Sequence, residues 1–224
     1  MSKRIAIVPA RSGSKRIKDK NIKSFFNKPL ISHVLKEIKK SNLFSKIHVS
    51  TDSIKISNIV KKNKIKIDFL RPKKLSQDKT NLDEVINYII KKYKNQKIFF
   101  DEVWLIYATN PLVKARYLLK ANKMYKKFGK KHSIMSVTRF NKPIEWAYKL
   151  DKKKLLKPLS SINLKKFSNN IKVNYCEAGM FVVYQFDFMK KKKLTYKPFV
   201  LPLYQSVDID DMEDFNLAKN LYKK

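Results

Sequence analysis

Short apolar runs rich in β-branched residues alternate with helical patterns along most of this chain. Apolar residues recur at the spacing of an amphipathic helix over residues 30–40, 54–60, 82–93 and 117–128. The runs with the composition of buried strands are IAIV (5–8), IHVST (47–51), IDFL (67–70), VWLIYA (103–108) and SIMSV (133–137). This alternation predicts an α/β fold of three layers, in which a mostly parallel central sheet carries helices on both faces.

The carboxyl-terminal third departs from the alternation. Residues 139–176 contain Pro143, Pro158 and two lysine runs, and we interpret them as a small excursion embedded in one domain that spans residues 1–224. After the excursion, MFVVY (180–184) predicts a returning strand, and a final helix is expected from about Asp211.

The net charge of +34, from 52 basic and 18 acidic residues, first suggests a nucleic-acid-binding protein. Only six of the basic residues are arginine, the usual reader of base edges, and the lysines are spread over the polar faces of helices and turns. We therefore expect non-specific affinity for polyanions at low salt. A dedicated nucleic-acid module is kept as the less favoured alternative.

Two absences in the sequence narrow the class of protein. No apolar run approaches the roughly 18 residues that a membrane-spanning helix needs, so no membrane partner is expected. Cys176 is the single cysteine, which excludes an intramolecular disulfide and any metal site built on several cysteines. These features indicate a cytoplasmic protein.

The loop VPARSGSKRIKDKN (8–21) crowds positive charge behind the first predicted strand. Ligands of parallel sheets bind beyond the carboxyl ends of the strands, so this loop is where a ligand is expected. The loop holds one glycine, Gly13, and matches neither the three-glycine dinucleotide fingerprint nor the P-loop. Cationic side chains must then neutralise any bound phosphates, helped by the hydroxyls of Ser12 and Ser14. A solvated basic turn is the alternative.

Two carboxylates stand two residues apart in VDIDD (207–211). On an extended segment, Asp208 and Asp210 would point to the same side and could hold Mg²⁺ beside phosphate oxygens. The alternative is that one of them caps the final helix, although Asp211 could cap it instead. Asp52 follows the second predicted strand and is interpreted as a turn residue, and the three histidines as structural or exposed residues.

Motifs along nearly the whole chain resemble those of the bacterial CMP-sugar synthetases, the cytidylyltransferases that activate sialic-acid-like sugars. They are IAIVPARSGSKRIKDKNI (5–22), KPLI (28–31), VSTDS (49–53), FLRPKKLSQDKT (69–80), IYATNPL (106–112), SVTRF (136–140), EAGMFVVY (177–184) and VDIDDMEDF (207–215). Ser12 stands where the family usually has a glycine. The resemblance implies a Rossmann-like sheet of the nucleotide-diphospho-sugar transferase type. It also implies that the excursion makes a homodimer contact and helps to form the wall of the sugar pocket.

The same resemblance implies a reaction and roles for individual residues. CMP would pass from CTP to the anomeric hydroxyl of a nine-carbon 2-ulosonic acid, with Mg²⁺ as cofactor and pyrophosphate as the second product. The catalytic residues would be Arg11, Lys20, Asp208 and Asp210, of which Asp208 and Asp210 would bind the metal. The nucleotide-binding residues would be Ala10, Arg11, Ser12, Gly13, Ser14, Lys15, Arg16, Lys20, Asn21, Arg71, Ser76, Asp78 and Thr80. For Ser76, Asp78 and Thr80 the alternative is a polar loop with a helix cap.

The sequence constrains the identity of the sugar, and the residues that contact it, less than any other part of the site. Residues expected at the sugar are Tyr107, Thr109, Arg139, Lys142, Glu177 and Gly179. Tyr107 stands where sialic acid synthetases typically have glutamine, and the Tyr-Ala-Thr sequence resembles the branch of the family that acts on pseudaminic acid. Sialic and legionaminic acids are the close alternatives. A cytidylyltransferase for the shorter 3-deoxy-octulosonate is a further one, against which the VDIDD and Tyr-Ala-Thr segments argue.

Overall fold

Six strands form the central sheet of the structure, a computed structural model that describes residues 2–129, 131–159, 172–185, 188 and 193–223. The strands of this sheet are β1 (Arg4–Pro9), β4 (Lys46–Ser50), β5 (Glu102–Ile106), β6 (Ser133–Arg139), β9 (Tyr175–Val183) and β10 (Tyr196–Val200). Their spatial order is β10-β6-β9-β5-β1-β4. β9 is antiparallel to both of its neighbours and the other three pairs are parallel. The expected mostly parallel sheet is therefore confirmed.

Helices cover both faces of the sheet. They are α1 (Leu30–Ser41), α2 (Ile54–Lys62), α3 (Leu82–Asn95), α4 (Ala115–Phe128) and α5 (Met212–Tyr222). Alternate residues of β1 point to opposite faces: Ala6 and Val8 pack with α1 and α4, whereas Ile5 and Ile7 pack with α3. The three-layer arrangement follows directly from this alternation. α5 closes a third apolar cluster with the two-residue strand β2 (Ser24–Phe25), which pairs with β3 (Lys28–Pro29).

One strand prediction is wrong, and one strand was not predicted. The IDFL segment (67–70) is not a strand. Side-chain contacts attach this segment to the rest of the fold: Asp68 accepts a hydrogen bond from Tyr93 (2.6 Å) and pairs with Lys46 (2.5 Å). Conversely, β10 was not predicted. It contains Pro198, which argues against a central strand, and it is accommodated because β10 lies at the edge of the sheet.

The predicted excursion connects the end of β6 to the start of β9. Its described part contains a hairpin of β7 (Tyr148–Leu150) and β8 (Leu156–Pro158). Residues 160–171 lie outside the described residues, so the boundaries of the excursion and its role in a dimer stay predictions, as does the single domain. Among the described residues, no helix combines the length and apolar character needed to cross a membrane.

Candidate active site

A cleft of about 500 Å³ opens where β1 and β5 end, at the carboxyl edge of the sheet. The predicted nucleotide-binding residues that line it are Arg11, Ser14, Lys15, Arg16, Lys20, Asn21, Arg71, Asp78 and Thr80. Tyr107, Thr109 and Asp210 line the same cleft. The structure thus brings together residues separated by up to 199 positions in the sequence, at the edge of the sheet where ligands of such folds bind.

Two carboxylates bridge four of the five cations of the basic loop, residues 8–21. Asp78 pairs with Arg11 (2.7 Å) and Lys15 (2.5 Å). Asp210 pairs with Arg16 and Lys20, both at 3.0 Å. These acid oxygens occupy places that the oxygens of a phosphate chain could take, because both groups satisfy the same donors.

The cationic surroundings keep both of these carboxylates ionised. Hydrogen bonds from Lys15 and then Arg11 lower the pKa of the Asp78 carboxyl. Burial acts to raise the pKa of Asp210, but the hydrogen bond and charge of Lys20, with those of Arg16, outweigh burial and lower it. Each bridge is therefore a pair of charged hydrogen bonds, which a more highly charged ligand could displace.

Neighbouring residues hold the backbone of the basic loop. Ser12 donates hydrogen bonds to both carboxylate oxygens of Asp52. Its backbone N–H donates to Asp52 Oδ1 (2.9 Å), and its hydroxyl donates to Asp52 Oδ2 (2.7 Å). Asn21 is buried and donates to the carbonyl of Arg11 (3.0 Å), while its Oδ1 has no partner among the described residues. An unpartnered buried acceptor beside the cleft is free to accept from a ligand.

Arg71 is a buried cation in the wall of the cleft. Its guanidinium donates to the hydroxyl of Ser50 (2.9 Å) and to the Ser50 carbonyl (2.7 Å), and its backbone N–H donates to Thr51. Burial lowers the pKa of Arg71 to about 10, opposed by the negative charge of Asp52. Arg71 therefore remains positively charged at neutral pH and adds to the cationic field of the cleft.

Asp208 is fitted into a space that Gly179 leaves open. Thr109 donates to Oδ1 of Asp208 at 2.5 Å, and a Cβ atom on residue 179 would lie 2.5 Å from Cβ of Asp208. Burial and then the nearby Asp210 charge raise the pKa of Asp208, although the Thr109 hydrogen bond acts against them. Thr109, expected at the sugar, lines the cleft and contacts this carboxylate.

The two carboxylates fit the ligand set that Mg²⁺ prefers. Residues 207–210 are not assigned as a strand, but Val207 and Ile209 are buried while Asp208 and Asp210 are half-buried, which is the period-two pattern expected of an extended segment. No group of three or more His, Cys, Asp or Glu that could hold a metal occurs among the described residues. Two hard oxygen donors next to a phosphate-binding loop suit Mg²⁺, which keeps several waters and shares phosphate oxygens.

Asp211 caps the final helix with its side chain, whereas Asp208 and Asp210 do not. The Asp211 carboxylate accepts from the backbone N–H groups of Glu213 (2.9 Å) and Asp214 (3.0 Å), and Asp214 completes a capping box. Asn81 likewise caps α3 by accepting from Asp83. The capping alternatives for Asp208 and Asp210, and for Ser76, Asp78 and Thr80, are therefore wrong.

Some of the residues predicted at the sugar lie at the cleft and others lie away from it. The Tyr107 hydroxyl donates to Glu177 Oε1 (2.7 Å), and burial, together with the Glu177 charge, raises the pKa of Tyr107. Arg139 lines a different cavity, beside Tyr175, and Lys142 is exposed. The structure does not bring these last two residues to the cleft.

Six residues that line the cleft were not predicted, and four of the predicted nucleotide-binding residues do not line it. Ser76 offers its carbonyl to Arg11 (3.3 Å), whereas Ala10, Ser12 and Gly13 shape the loop without lining the cleft. The unpredicted lining residues are Pro9, Leu75, Gln77, Leu82, Val85 and Ala108. Leu82 and Val85 begin the apolar stripe of α3, so periodicity alone assigns them to the core.

Comparisons with known proteins agree on one kind of enzyme. A family model described as Cytidylyltransferase matches residues 5–220. The pseudaminic acid cytidylyltransferase of Campylobacter jejuni is 33% identical over 227 residues, covering 99% of this chain and 97% of that protein. The N-acylneuraminate cytidylyltransferase of Escherichia coli is 31% identical over 228 residues, covering 100% of this chain and 53% of that protein.

A solved structure supports the fold independently. A CMP:2-keto-3-deoxy-manno-octonic acid synthetase complexed with CTP superposes with a TM-score of 0.72 and covers 99% of both chains. The sequence identity is 13%, so this likeness concerns the fold alone. The Rossmann-like α/β architecture predicted from the sequence is confirmed.

Proposed function

The chain belongs to the cytidylyltransferase family, and from that premise we propose that it transfers CMP from CTP to the anomeric hydroxyl of pseudaminic acid, releasing pyrophosphate. The single observation that carries the proposal is the cleft in which cations of one loop face the carboxylate of Asp210; these cations are Arg11, Lys15, Arg16 and Lys20. Asp208 joins the same site through Thr109, which lines the cleft and donates to its carboxylate. A triphosphate needs such cations, and a metal shared with its phosphates needs such carboxylates.

Binding of CTP would exchange internal ion pairs for phosphate contacts. Arg11 and Lys15 leave Asp78, and Arg16 leaves Asp210, because the triphosphate offers more negative charge to the same donors. Lys20 also donates to the carbonyl of Ile209 (2.7 Å), so its ammonium stays beside Asp210. Lys20 is thereby placed to follow charge as the α-phosphorus is attacked.

We propose that Asp208 and Asp210 hold Mg²⁺ in the working enzyme. When bound there, Mg²⁺ would neutralise phosphate oxygens and help to orient them. Thr109 fixes one oxygen of Asp208, and the missing side chain at Gly179 lets the carboxylate approach the cleft. Lys20 fixes Asp210 by a hydrogen bond of 3.0 Å.

The chemistry at phosphorus is an in-line displacement. The oxygen of the anomeric hydroxyl attacks the α-phosphorus and its proton passes to water. The bond from that phosphorus to the oxygen leading to the β-phosphate breaks, and pyrophosphate leaves with the bonding electron pair. Cations of the loop stabilise the charge that develops on the departing pyrophosphate. The protein's contribution is therefore chiefly to position the two substrates and to neutralise charge.

Pseudaminic acid is proposed as the sugar on two grounds. The Campylobacter jejuni relative, matched over nearly its whole length, carries that substrate in its name. The Tyr107 hydroxyl, bound to Glu177, stands where sialic acid synthetases typically have a glutamine. N-acetylneuraminic acid is the second candidate, because the Escherichia coli relative is an N-acylneuraminate cytidylyltransferase.

One assay tests the proposal. The purified chain is supplied with CTP and Mg²⁺, together with pseudaminic, N-acetylneuraminic, legionaminic or 3-deoxy-octulosonic acid, and pyrophosphate release is measured. Fastest release with pseudaminic acid is expected, and faster release with another sugar would overturn the substrate assignment. Tight RNA binding at physiological salt without CTP turnover would instead favour the nucleic-acid alternative.

We also propose a homodimer in the cytoplasm. Four leucines of the described hairpin region, Leu150, Leu155, Leu156 and Leu159, are each more than half exposed, which is unusual for a surface without a partner. Light scattering at micromolar protein should give about twice the chain mass of 26.5 kDa. The monomer mass would refute the dimer, and the cytoplasmic location rests on the single cysteine and the proposed use of CTP.

A further inference from the structure

Asp52 lies just behind the basic loop, at the point where the ladder between β1 and β4 ends. That ladder pairs Pro9 with Ser50 and is extended by a hydrogen bond from the Ala10 N–H to the Ser50 carbonyl (2.9 Å). Two residues beyond Ala10 and Ser50, Ser12 and Asp52 are hydrogen-bonded to each other. This side-chain contact therefore attaches the loop to the end of β4 two residues beyond the last backbone hydrogen bond between the two segments.

The attachment uses both oxygens of one carboxylate. Oδ1 of Asp52 accepts from the Ser12 backbone N–H at 2.9 Å, and Oδ2 accepts from the Ser12 hydroxyl at 2.7 Å. Two hydrogen bonds to one residue fix both the position and the orientation of its backbone, whereas a single hydrogen bond would fix the position alone. Ser12 replaces a glycine that is usual in the family, so the hydroxyl half of this contact belongs to this chain.

The residue held in this way is next to Arg11, whose guanidinium enters the cleft. On the other side, the Arg11 carbonyl accepts from Asn21 (3.0 Å). Arg11 therefore lies between two anchors, Asp52 through Ser12 and Asn21 through its own carbonyl. A loop with one glycine and five cations needs such anchors, because the turn within it, where the Ser14 N–H donates to the Ser12 carbonyl (2.9 Å), does not involve Arg11.

We propose that Asp52 is a positioning residue for the phosphate-binding loop, which it orders through Ser12 so that Arg11 is presented to the triphosphate of CTP. This role rests on the proposed function for its ligand, but the ordering of the loop does not. Asp52 does not line the cleft itself, and its side-chain hydrogen bonds go to Ser12 of the loop. Its negative charge also acts on Arg71, so the test must separate the effect of charge from that of positioning.

Two substitutions separate positioning from charge. Asp52→Asn loses the negative charge but keeps the geometry, since its amide oxygen can accept from the Ser12 N–H while its amide nitrogen donates to the Ser12 hydroxyl. Asp52→Ala loses both contacts. Ser12→Ala loses only the hydroxyl contact, and Ser12 is exposed, so this variant is expected to fold.

A matched control lies at the opposite end of β1. Asp101 Oδ2 accepts from the backbone N–H of Lys3 at 2.7 Å, which is the same kind of contact at the edge of the sheet away from the cleft. Asp101→Ala should leave CTP binding unchanged. It thereby reports any general effect of removing a carboxylate that supports β1.

The experiment measures two quantities without sugar: the dissociation constant for CTP with Mg²⁺ by calorimetry, and hydrogen exchange of residues 10–16 in the free protein. Asp52→Ala should raise the dissociation constant about tenfold and accelerate exchange, Ser12→Ala should raise it about threefold, and Asp52→Asn should stay within twofold of wild type. Thermal unfolding of each variant is recorded alongside.

Each contrary outcome has a defined meaning. If Asp52→Asn is as impaired as Asp52→Ala, the residue acts through its charge, beside Arg71, and the positioning role is wrong. If Asp52→Ala matches wild type in both CTP binding and exchange, or Asp101→Ala is equally impaired, the proposal also fails. If wild-type protein does not bind CTP, the proposed function fails, while the exchange measurement still decides whether Asp52 orders the loop.

Discussion

Gly179 and Asp208 share one space in the structure. A Cβ atom on residue 179 would lie 2.5 Å from Cβ of Asp208 and 2.6 Å from its Cγ and Oδ2. Gly179 also has a φ of +56°, in the left-handed region that glycine adopts without steric cost. The glycine of β9 is therefore required by the carboxylate that lies against it.

Gly179→Ala should displace Asp208 and lower turnover at least tenfold. The left-handed backbone adds a cost of about 1–2 kcal/mol for any side chain, so the melting temperature should fall as well. Pyrophosphate release and thermal unfolding measure the two effects. Gly13→Ala is the stability control, because the nearest atom to its Cβ would be Arg11 Nη1 at 3.7 Å. Wild-type turnover in Gly179→Ala would show that the position of Asp208 is unimportant.

Asp210→Asn should reduce pyrophosphate release at least a hundredfold and raise the Mg²⁺ concentration needed for half-maximal rate. The carboxylate is held by Lys20 and Arg16, and loss of its charge removes a ligand from the proposed metal site. Asp211→Asn is the matched control, since asparagine can still cap α5. Equal rates for Asp210→Asn and wild type, with the fold intact by circular dichroism, would refute the metal assignment.

The stability of the fold should decrease as the pH falls from about 6.5 to about 4. His48 is buried, and desolvation lowers its pKa to about 4. The unfolded chain takes up a proton below pH 6.5 while the folded chain does not, so stability present above pH 6.5 is lost on acidification, by up to about 3 kcal/mol. Burial also lowers the pKa of His33, which acts in the same direction.

The network around His48 shows which variant tests this dependence. Tyr93 donates its proton to Asp68 (2.6 Å), so the His48 Nδ1–H must be the donor in its 2.9 Å contact with the Tyr93 hydroxyl. Lys46 and Arg71 face His48 as further positive charges and disfavour its protonation. Denaturant titrations at several pH values give the free energy of unfolding. For His48→Gln this free energy should fall less steeply with acidification than for wild type, and an unchanged dependence on pH would show that His48 is not its cause.

Sequence patterns predicted the layers of this fold because burial imposes a period on every element. They failed at residues 67–70, where four strand-like residues are fastened by the side chains of Asp68 and Phe69 rather than by a ladder. The basic loop was predicted to meet a ligand because it concentrates charge at the carboxyl end of a strand. Asp208 and Asp210 were predicted as metal ligands from their spacing of two residues and from the family resemblance. Asp52 was interpreted as a turn residue, since only the three-dimensional contact with Ser12, 40 positions away, shows what it holds.

Tyr107→Phe should change the use of the sugar and leave CTP unaffected. The substitution removes the hydrogen bond to Glu177 (2.7 Å) while keeping the ring, so the predicted effect is a several-fold rise in KM for pseudaminic acid. Glu177→Gln, which can still accept from Tyr107, is the conservative partner variant. A rise in KM for CTP instead would place Tyr107 at the nucleotide.

Lys20 and Lys18 provide the sharpest test of the basic loop, because they carry the same charge two residues apart in different surroundings. Lys20 has 14% of its side chain exposed and donates to Asp210 and to the Ile209 carbonyl, whereas Lys18 is exposed. Lys20→Ala should lower kcat more than it raises the KM for CTP, since its ammonium stabilises charge that develops during attack. Arg11→Ala should impair both constants, because Arg11 contributes to binding and to the reaction.

Lys18→Ala should leave both constants near wild type, since an exposed lysine is screened by salt and lies outside the cleft. Steady-state kinetics of the three variants at physiological ionic strength decides the matter. If Lys18→Ala is as impaired as Lys20→Ala, the loop acts as a diffuse positive field, and the assignment of separate roles to its residues is wrong even though the enzyme class stands.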